Sequence, residues 1–545
     1  MFTRLPSWRV MDHWRLVRLH PHHRRQQQPM PIWTARRHCG CTTAIGIDIA
    51  SIQLGATPPA AATLRGRVEH VRVRGKLAFI HLRQPPFHSI QVVAVGAGMA
   101  RQVKDLTPES IVDVTGAVVP AEKPVTSVSC TNYELHAERI HVVSKADTPL
   151  PFPIKDCHTK LDTRLNHRVV DLRTPLMASM LRIVSAICQC FREKLLARGF
   201  LEIHTPKLIG TASEGGSAVF SLDYFDQRGY LAQSPQLYKQ MALMGDAMRV
   251  FEIAPVFRAE KSLTHRHLTE FVGLDAELVI GESYTEVLDV LEATVCGMIE
   301  HVQTQHSALV QQAQKSLAEL DAAESSNTSP TTSERSPPPT AIVCEVAEET
   351  IARYQLTTSD ATATEGNAAV ASLDRYHGRV GGGRPRVLRL AFCDAVQMLL
   401  DHNVISQPVT DFTLPQERRL GELVRERYGV DVYIVDQFPT SARPFYTMPH
   451  PCKADVTCSF DMYLRGEEIC SGAQRVHDPA LLLQNMQRLQ VDAAQMTDYV
   501  SAFRYGAWPH GGFGLGLERI ALFLLGARDI RQVSLFPRDP KRLAP

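Results

Sequence analysis

Five short Val- and Ile-rich runs lie close together between residues 63 and 145: Thr63–Val68, Leu77–Leu82, Gln91–Val95, Ile111–Val119 and Glu134–Val143. Gly and Pro punctuate them, so each reads as a strand ended by a turn. Five such strands packed so tightly in sequence predict a small β-barrel of the OB type. The remainder of the 545-residue chain has a different texture, and its length leaves room for further domains.

Residues 165–304 mix helix and strand. Leu176–Arg198 carries apolar residues at helical spacing, and Gly199 supplies a stop. Short strands are expected at Gly229–Leu231 and Arg249–Phe257, then a helix near Tyr284–Gln303. Residues 315–385 read as a flexible surface insertion. Ser325–Pro339 is rich in Ser, Thr and Pro, only Ile342–Tyr354 looks weakly helical, and Gly381–Gly383 with Pro385 closes the stretch. Beyond it, helices are expected at Leu390–Asn403, Gln416–Tyr428 and Pro479–Leu489, and strands at Val432–Val435, Cys458–Leu464 and Glu468–Ser471. Gly511–Leu525 reads as a glycine-rich turn joined to an apolar helix.

Charge and cysteine usage exclude several classes. Lys+Arg is 59 against 57 Asp+Glu, so a histone-like polycation is excluded and nucleic-acid binding must come from local patches. No apolar run reaches the length of a membrane-spanning helix. The 12 cysteines are scattered without any C-x-x-C, which argues against a zinc ribbon or disulfide scaffold and for a reducing compartment. Cys39 and Cys41 beside His38 lack a second pair. Residues 1–40 hold eight Arg, five His and a single acidic residue, Asp12. They read as a mitochondrial presequence, an RNA-attracting arm, or an unstructured tail.

The chemistry-bearing residues are arginines and carboxylates. A Walker-type phosphate loop is absent, and the Gly512–Gly516 spacing is wrong for a dinucleotide fingerprint. In Val256–Phe257–Arg258–Ala259–Glu260 strand alternation puts Arg258 and Glu260 on one face, where an Arg can hold a phosphate with two donors. The polar loop Lys261–His267 and Phe271 follow: charge for phosphates, a ring for a base. A salt-bridged surface hairpin is the competing reading. Asp461, Glu467 and Glu468 sit on or beside neighbouring strands, as carboxylates that hold magnesium against phosphates do; an exposed acidic face is the alternative. Ser471 and Arg475 come next, Arg475 as a candidate for an anionic group. Gly514–Leu515–Gly516–Leu517–Glu518–Arg519 opens the last helix, with Arg519 in the first turn; the alternative is a glycine-softened helix start in the core.

From Ala62 to Pro545, apart from the insertion, these residues resemble the class II aminoacyl-tRNA synthetases, and among them the aspartyl enzymes of eukaryotic cytosolic and archaeal type. Phe200 to Pro206 resembles motif 1, whose proline lies at the dimer interface. Phe257–Glu260 through Glu270–Phe271 resembles motif 2, and Gly514–Arg519 motif 3. Ser213–Gly216 is similar to the flipping loop, Gln233–Lys239 to the amino-acid pocket, and Arg443–Met448 and Arg465–Arg475 complete the match.

The resemblance implies an α+β chain. A basic extension (1–60) precedes an OB-fold anticodon-binding domain (61–146), a hinge (147–168) and a class II catalytic domain (169–545). That last domain is an antiparallel sheet flanked by helices. It implies aspartate binding by Glu214, Gln236, Lys239, Arg258, Ser471 and Arg475. ATP, a substrate, would meet Arg258, Glu260, Arg266, His267, Leu268, Phe271, Glu468, Gly514, Leu515, Gly516, Leu517 and Arg519, with Arg258 and Arg519 catalytic. Mg2+ would lie on Asp461, Glu468 and Ser471. The anticodon of tRNA(Asp) would meet Phe79, Gln91, Ser127 and Glu134, unless Phe79 is a barrel core residue. The spacing before Gln91 is one residue longer than usual in the family. Cys458 stands where the family often has Asn, a change in local hydrogen bonding that leaves Asp461 in place. A homodimer in the cytoplasm is expected, with mitochondrial import through the extension as the alternative and no membrane partner. The rival functions are an enzyme that also charges tRNA(Asn) and a non-catalytic RNA-binding relative.

Overall fold

The structure, a computed structural model, describes residues 48–53, 62–155, 158–211, 219–281, 283–325, 341–347, 349–350, 357–358, 375–377 and 387–545. Glu214, the arginines of the extension and most of the insertion lie outside the described residues. The chain divides into two compact units, with a boundary at Thr148/Pro149.

The first unit is a closed five-stranded barrel. Strands β1 (Ala62–Arg74), β2 (Leu77–Gln84), β3 (His88–Val95), β4 (Ile111–Pro120) and β5 (Tyr133–Ser144) close in the order β1-β2-β3-β5-β4. Alternation makes the core: in β4, Val112 and Val114 are fully buried, and in β2, Ala78, Ile80 and Leu82. Phe79 and His81 therefore face outward, partly exposed, and Phe79 is not a core residue. A Cβ at Gly116 would run into the His136 carbonyl, so only glycine allows β4 and β5 to approach there.

The second unit is built on one large sheet. In chain order its strands are β6 (Leu201–Glu202), β10 (Arg249–Phe257), β11 (Glu270–Val279), β12 (Thr357–Thr358), β13 (Arg375–His377), β14 (Val387–Ala391), β15 (Val432–Asp436), β16 (Ser459–Leu464), β17 (Glu467–Gln474) and β18 (His510–Gly516). They lie in the order β12-β13-β14-β15-β16-β17-β18-β11-β10-β6, antiparallel from β15 through β10. A separate sheet joins β7 (Leu208–Ile209), β9 (Gln227–Leu231) and β8 (Ser221–Tyr224).

Two helices pack on one face of the large sheet. Pro175–Leu196 starts where Thr174 Oγ1 accepts from Met177 N–H, with proline at the first position; Thr285–Gln305 lies with it. Phe191 and Phe251 meet edge-to-face in this core, 5.9 Å between centroids. At the β15 end both faces are covered. Val432 and Ile434 join this core, while Tyr433 and Val435 pack with helices Phe392–Asp401 and Leu414–Tyr428. At the β11 end one face stays polar. Leu274, Ala276 and Leu278 point into the core, which leaves Gly273, Asp275 and Glu277 on the other face.

Two local expectations change. The helix Ser307–Ser325 continues beyond residue 315, because Val310, Ala313 and Leu317 form a buried stripe at helical spacing. The glycine-rich stretch before Arg519 is a strand, β18, rather than a turn. Its glycines answer crowding: a Cβ at Gly512 would strike the Ala276 carbonyl and the Glu277 carboxylate, and one at Gly511 would lie 2.8 Å from the Ala473 carbonyl.

Candidate active site

The polar face of β10, β11, β17 and β18 forms the floor of a cavity of about 400 Å³. Its deepest part is an ionic lattice. Lys239 Nζ lies 2.9 Å from Asp275 Oδ1 and 3.4 Å from Glu277 Oε2. Arg475 Nε donates to Glu277 Oε1 at 2.8 Å, while Nη2 donates to Gln236 Oε1 at 3.1 Å and to the Gly512 carbonyl at 3.0 Å. Two cations and two carboxylates thus cancel, each at most 7% exposed. Burial pushes the Asp275 carboxyl up, with Lys239 only partly opposing it. Burial also acts on Glu277, but Arg475 and Lys239 overcome it and hold that carboxyl below its ordinary value. Such a lattice is a poor source of stability. Its use is to present fixed charge: Gln236, Asp275 and Arg475 reach the cavity wall, and Lys239 stands behind Asp275.

Above the floor, Arg258 follows the end of β10, tied by its N–H to the Thr269 carbonyl. Its guanidinium lies over the Phe271 ring, 5.6 Å from the centroid. Glu260, Arg266, His267 and Leu268 line the same wall. Arg266 Nη1 is 3.2 Å from Glu417 Oε2, and burial, then Arg519, lowers the His267 pKa. Glu468 and Ser471 of β17 and Gly514, Leu515 and Gly516 of β18 line the cavity too, as does Arg519, whose Nη1 donates to the Glu468 carbonyl at 3.0 Å. Burial and the Asp461 charge raise the Glu468 carboxyl to about 7.

Not every expected residue meets the cavity. Leu517 is buried in the core. Asp461 is held by both Nη atoms of Arg443, at 3.1 and 2.6 Å, and Arg443 itself lines the cavity. Glu467 turns away to Arg418 (2.8 Å), which with His265 helps hold its carboxyl down at about 2 against burial. Pro206 is exposed, as are Leu201 and Leu208 near it.

The sequence reading missed Asp275 and Glu277, and it gave no site role to Arg443 or Glu518, which lie in the matching blocks Arg443–Met448 and Gly514–Arg519. The pair Asp275/Glu277 alternating with Leu274, Ala276 and Leu278 was the available signal, since acids repeated inside an apolar strand need buried partners. Glu518 accepts from Val272 N–H at 3.1 Å, and burial raises it to about 7. A carboxyl whose folded pKa is raised stabilises the fold below its unfolded pKa and loses that contribution as pH rises through the folded value. The shift is worth about 2–3 kcal/mol. Glu518→Gln should therefore gain about that much relative to the parent between pH 5 and pH 8. Paired thermal melts check this, and a pH-independent difference would contradict the burial argument.

On the barrel, Gln91 pairs with both His81 and Glu134 across the strands. Gln91 Nε2 donates to Glu134 Oε1 at 2.6 Å, and Ser127 Oγ meets His81 Nε2 at 3.2 Å. Phe79 stands two residues from His81 on the same outer face. The structure therefore brings Phe79, Gln91, Ser127 and Glu134 to one surface.

Residues 160–540 match the class II tRNA synthetase family (D, K and N), and residues 62–143 match the OB-fold nucleic acid binding domain. The chain belongs to the class II tRNA synthetases. The human cytoplasmic aspartate–tRNA ligase is 38% identical over 502 residues, 88% of each chain. The solved aspartyl-tRNA synthetase of Entamoeba histolytica is 34% identical, with a TM-score of 0.73, over 99% of this chain and 100% of that one. A Pyrococcus horikoshii asparaginyl-tRNA synthetase is 26% identical, with a TM-score of 0.69, over 89% of this chain and 96% of that one. In the synthetase frame the cavity is bounded by motif 2, from Phe257 to Phe271, and motif 3, from Gly514 to Arg519.

Proposed function

We propose that this synthetase is an aspartate–tRNA ligase. It activates L-aspartate with ATP to aspartyl-adenylate and pyrophosphate, then transfers the aspartyl group to the 3′ end of tRNA(Asp). The observation that carries this reading is the cavity floor, where Arg475 faces inward on a Glu277/Gln236 brace and Lys239 is poised behind Asp275. The ammonium of the substrate takes Asp275, which frees Lys239 to join Arg475 on the side-chain carboxylate. Asparagine would leave that exchange one negative charge short, in a buried site where under-paired groups cost several kcal/mol.

Above the floor, catalysis is positioning and charge neutralisation. Arg258 holds the α-phosphate under in-line attack by the aspartate α-carboxylate. Phe271 stacks on adenine, and Arg519 closes the adenine or γ-phosphate side. Arg266 supplies charge at the phosphates. Glu468 and Ser471 line the cavity, and Asp461, whose charge helps raise the Glu468 carboxyl, pairs with Ser471 across the strands and is held by Arg443; as oxygen donors these three residues would suit Mg2+. Bound there, Mg2+ would neutralise the phosphates. Glu214 joins the aspartate site in this reading.

The outer barrel face reads the anticodon by stacking on Phe79 and by hydrogen bonds from Gln91, Ser127 and Glu134. Phe79→Ala should raise KM for tRNA(Asp) about tenfold, the loss of one stacked base. ATP–pyrophosphate exchange without tRNA should stay unchanged, and an unaltered tRNA KM in charging assays would remove Phe79 from the interface. Pro206, with exposed Leu201 and Leu208, offers the surface for a second copy, and the cytoplasm is the proposed compartment. The direct test is ATP–pyrophosphate exchange with aspartate, asparagine and lysine in parallel. Exchange with aspartate alone supports the assignment; equal exchange with asparagine, or none from folded protein, refutes it.

A further inference from the structure

We infer that Arg168 is a positioning residue for ATP. From the opposite side of the motif 2 loop, it fixes the C-terminal segment that props the loop. This rests on the reading of the cavity as the ATP and aspartate site.

Arg168 is 1% exposed, although it lies in the stretch expected to be a hinge. Its Nη1 donates to Asp171 Oδ2 at 2.5 Å, and Arg164 Nε donates to the other carboxylate oxygen at 2.7 Å. Asp171 is fully buried. The rest of the Arg168 guanidinium goes to backbone. Nε donates to the Leu535 carbonyl at 3.0 Å, and Nη2 reaches the carbonyls of Arg531 (3.3 Å), Gln532 (3.4 Å) and Ser534. These belong to the last turn of the helix Ile530–Val533 and to the residues after it. Helix-end carbonyls have no partner within the helix. One planar, five-donor guanidinium meets several of them together, which an ammonium cannot do.

The segment so fixed touches the ATP wall. Ile530 lines the cavity, and its N–H donates to the His265 carbonyl at 2.7 Å, next to Arg266 and His267. Further along, Thr269 N–H donates to the Arg538 carbonyl at 2.9 Å, and Glu270 bridges Arg538 as an added antiparallel pair. The motif 2 loop between β10 and β11 therefore hangs from the C-terminal segment at two points, His265 and Thr269. That segment is clamped by Arg168. None of these contacts involves the Lys239–Glu277–Arg475 floor.

The effect should fall on ATP and spare aspartate. Arg168→Lys keeps a cation beside Asp171 but cannot span the carbonyls. It should raise KM for ATP in exchange about tenfold, a misplacement effect, and leave KM for aspartate within about twofold. Ile530→Pro and Ile530→Ala test the link without touching Arg168. Proline is tolerated at the first helical position but has no N–H. Relative to alanine it should weaken ATP binding by roughly a further five- to tenfold. Calorimetry of ATP with magnesium, without aspartate or tRNA, reads binding directly. It separates this inference from the proposed ligase activity: a parent that binds ATP but exchanges no pyrophosphate refutes the activity alone. Equal ATP affinities for the two Ile530 variants, or matched ATP and aspartate shifts in Arg168→Lys, would overturn the role given to Arg168. The Ile530 pair decides the matter if Arg168→Lys does not fold.

Discussion

Arg258→Ala should lose at least about 10³-fold in kcat/KM for aspartate-dependent ATP–pyrophosphate exchange, the scale set by deleting one preorganised donor to developing charge. The guanidinium is half-buried at the cavity wall. It lies over the face of Phe271, and the backbone bond from Arg258 N–H to the Thr269 carbonyl survives the substitution. The fold should therefore persist, with an unchanged melting temperature to within a few degrees. Arg258→Lys restores charge without the planar fork and should recover only part of the loss. Rate and affinity distinguish two roles. A loss mainly in kcat places the guanidinium on charge that develops at the α-phosphate. A loss confined to KM for ATP would make it a ground-state binder, and the catalytic role would fall. Retained exchange in folded Arg258→Ala would remove it from the reaction altogether.

Much of this molecule could be read from its residues, and the parts that could not share a physical cause. The barrel was legible because each strand shows one face to its core and one outward, so the period of two is visible in β4 as Val112, Val114 and their partners. The strand β14, Val387–Ala391, was instead missed: its first three residues were given no element, and Leu390 and Ala391 were read as the start of a helix. All five of its residues are buried, and a strand covered on both faces carries no alternation. β18 was hidden by its glycines, which signal a turn locally and are required here by neighbours far away in sequence, Ala276 and Glu277. In the site, Arg258 and Arg519 stood out because an arginine in a strand or first helical turn needs a reason, and Arg475 because it closely follows the carboxylates Glu467 and Glu468. Asp275 and Glu277 did not, since their reason is the pair of cations they hold, and that pairing exists only after β11 has met β17 and the helix Gln236–Met244. Lys239 shows the same limit. The resemblance of Gln233–Lys239 to the amino-acid pocket suggested a ligand-facing cation, whereas its position behind Asp275 could be learned only from packing.

Arg475→Gln should abolish activation of aspartate and also cost stability, and the two losses can be separated. Removing the guanidinium leaves Glu277 at zero exposure with Lys239 at 3.4 Å and without the 2.8 Å bond from Nε. Breaking a buried pair from one side costs about 3–5 kcal/mol, because the surviving charge is stranded. Arg475→Gln alone should thus melt markedly lower, and its inactivity could be blamed on the fold. Glu277→Gln combined with Arg475→Gln removes both charges, leaves amides that can bond to one another and to Gln236, and should recover most of the stability. Activity should not return, since the cation that faces the substrate carboxylate is still missing; KM for aspartate should stay at least about 10³-fold raised, in line with a lost charge-assisted pair in a buried pocket. Chemical denaturation and pyrophosphate exchange on the parent, both single variants and the double variant complete the cycle. A double variant that regains both stability and aspartate activation would show that Arg475 serves only to neutralise Glu277, and the selection of aspartate would then have to come from Lys239.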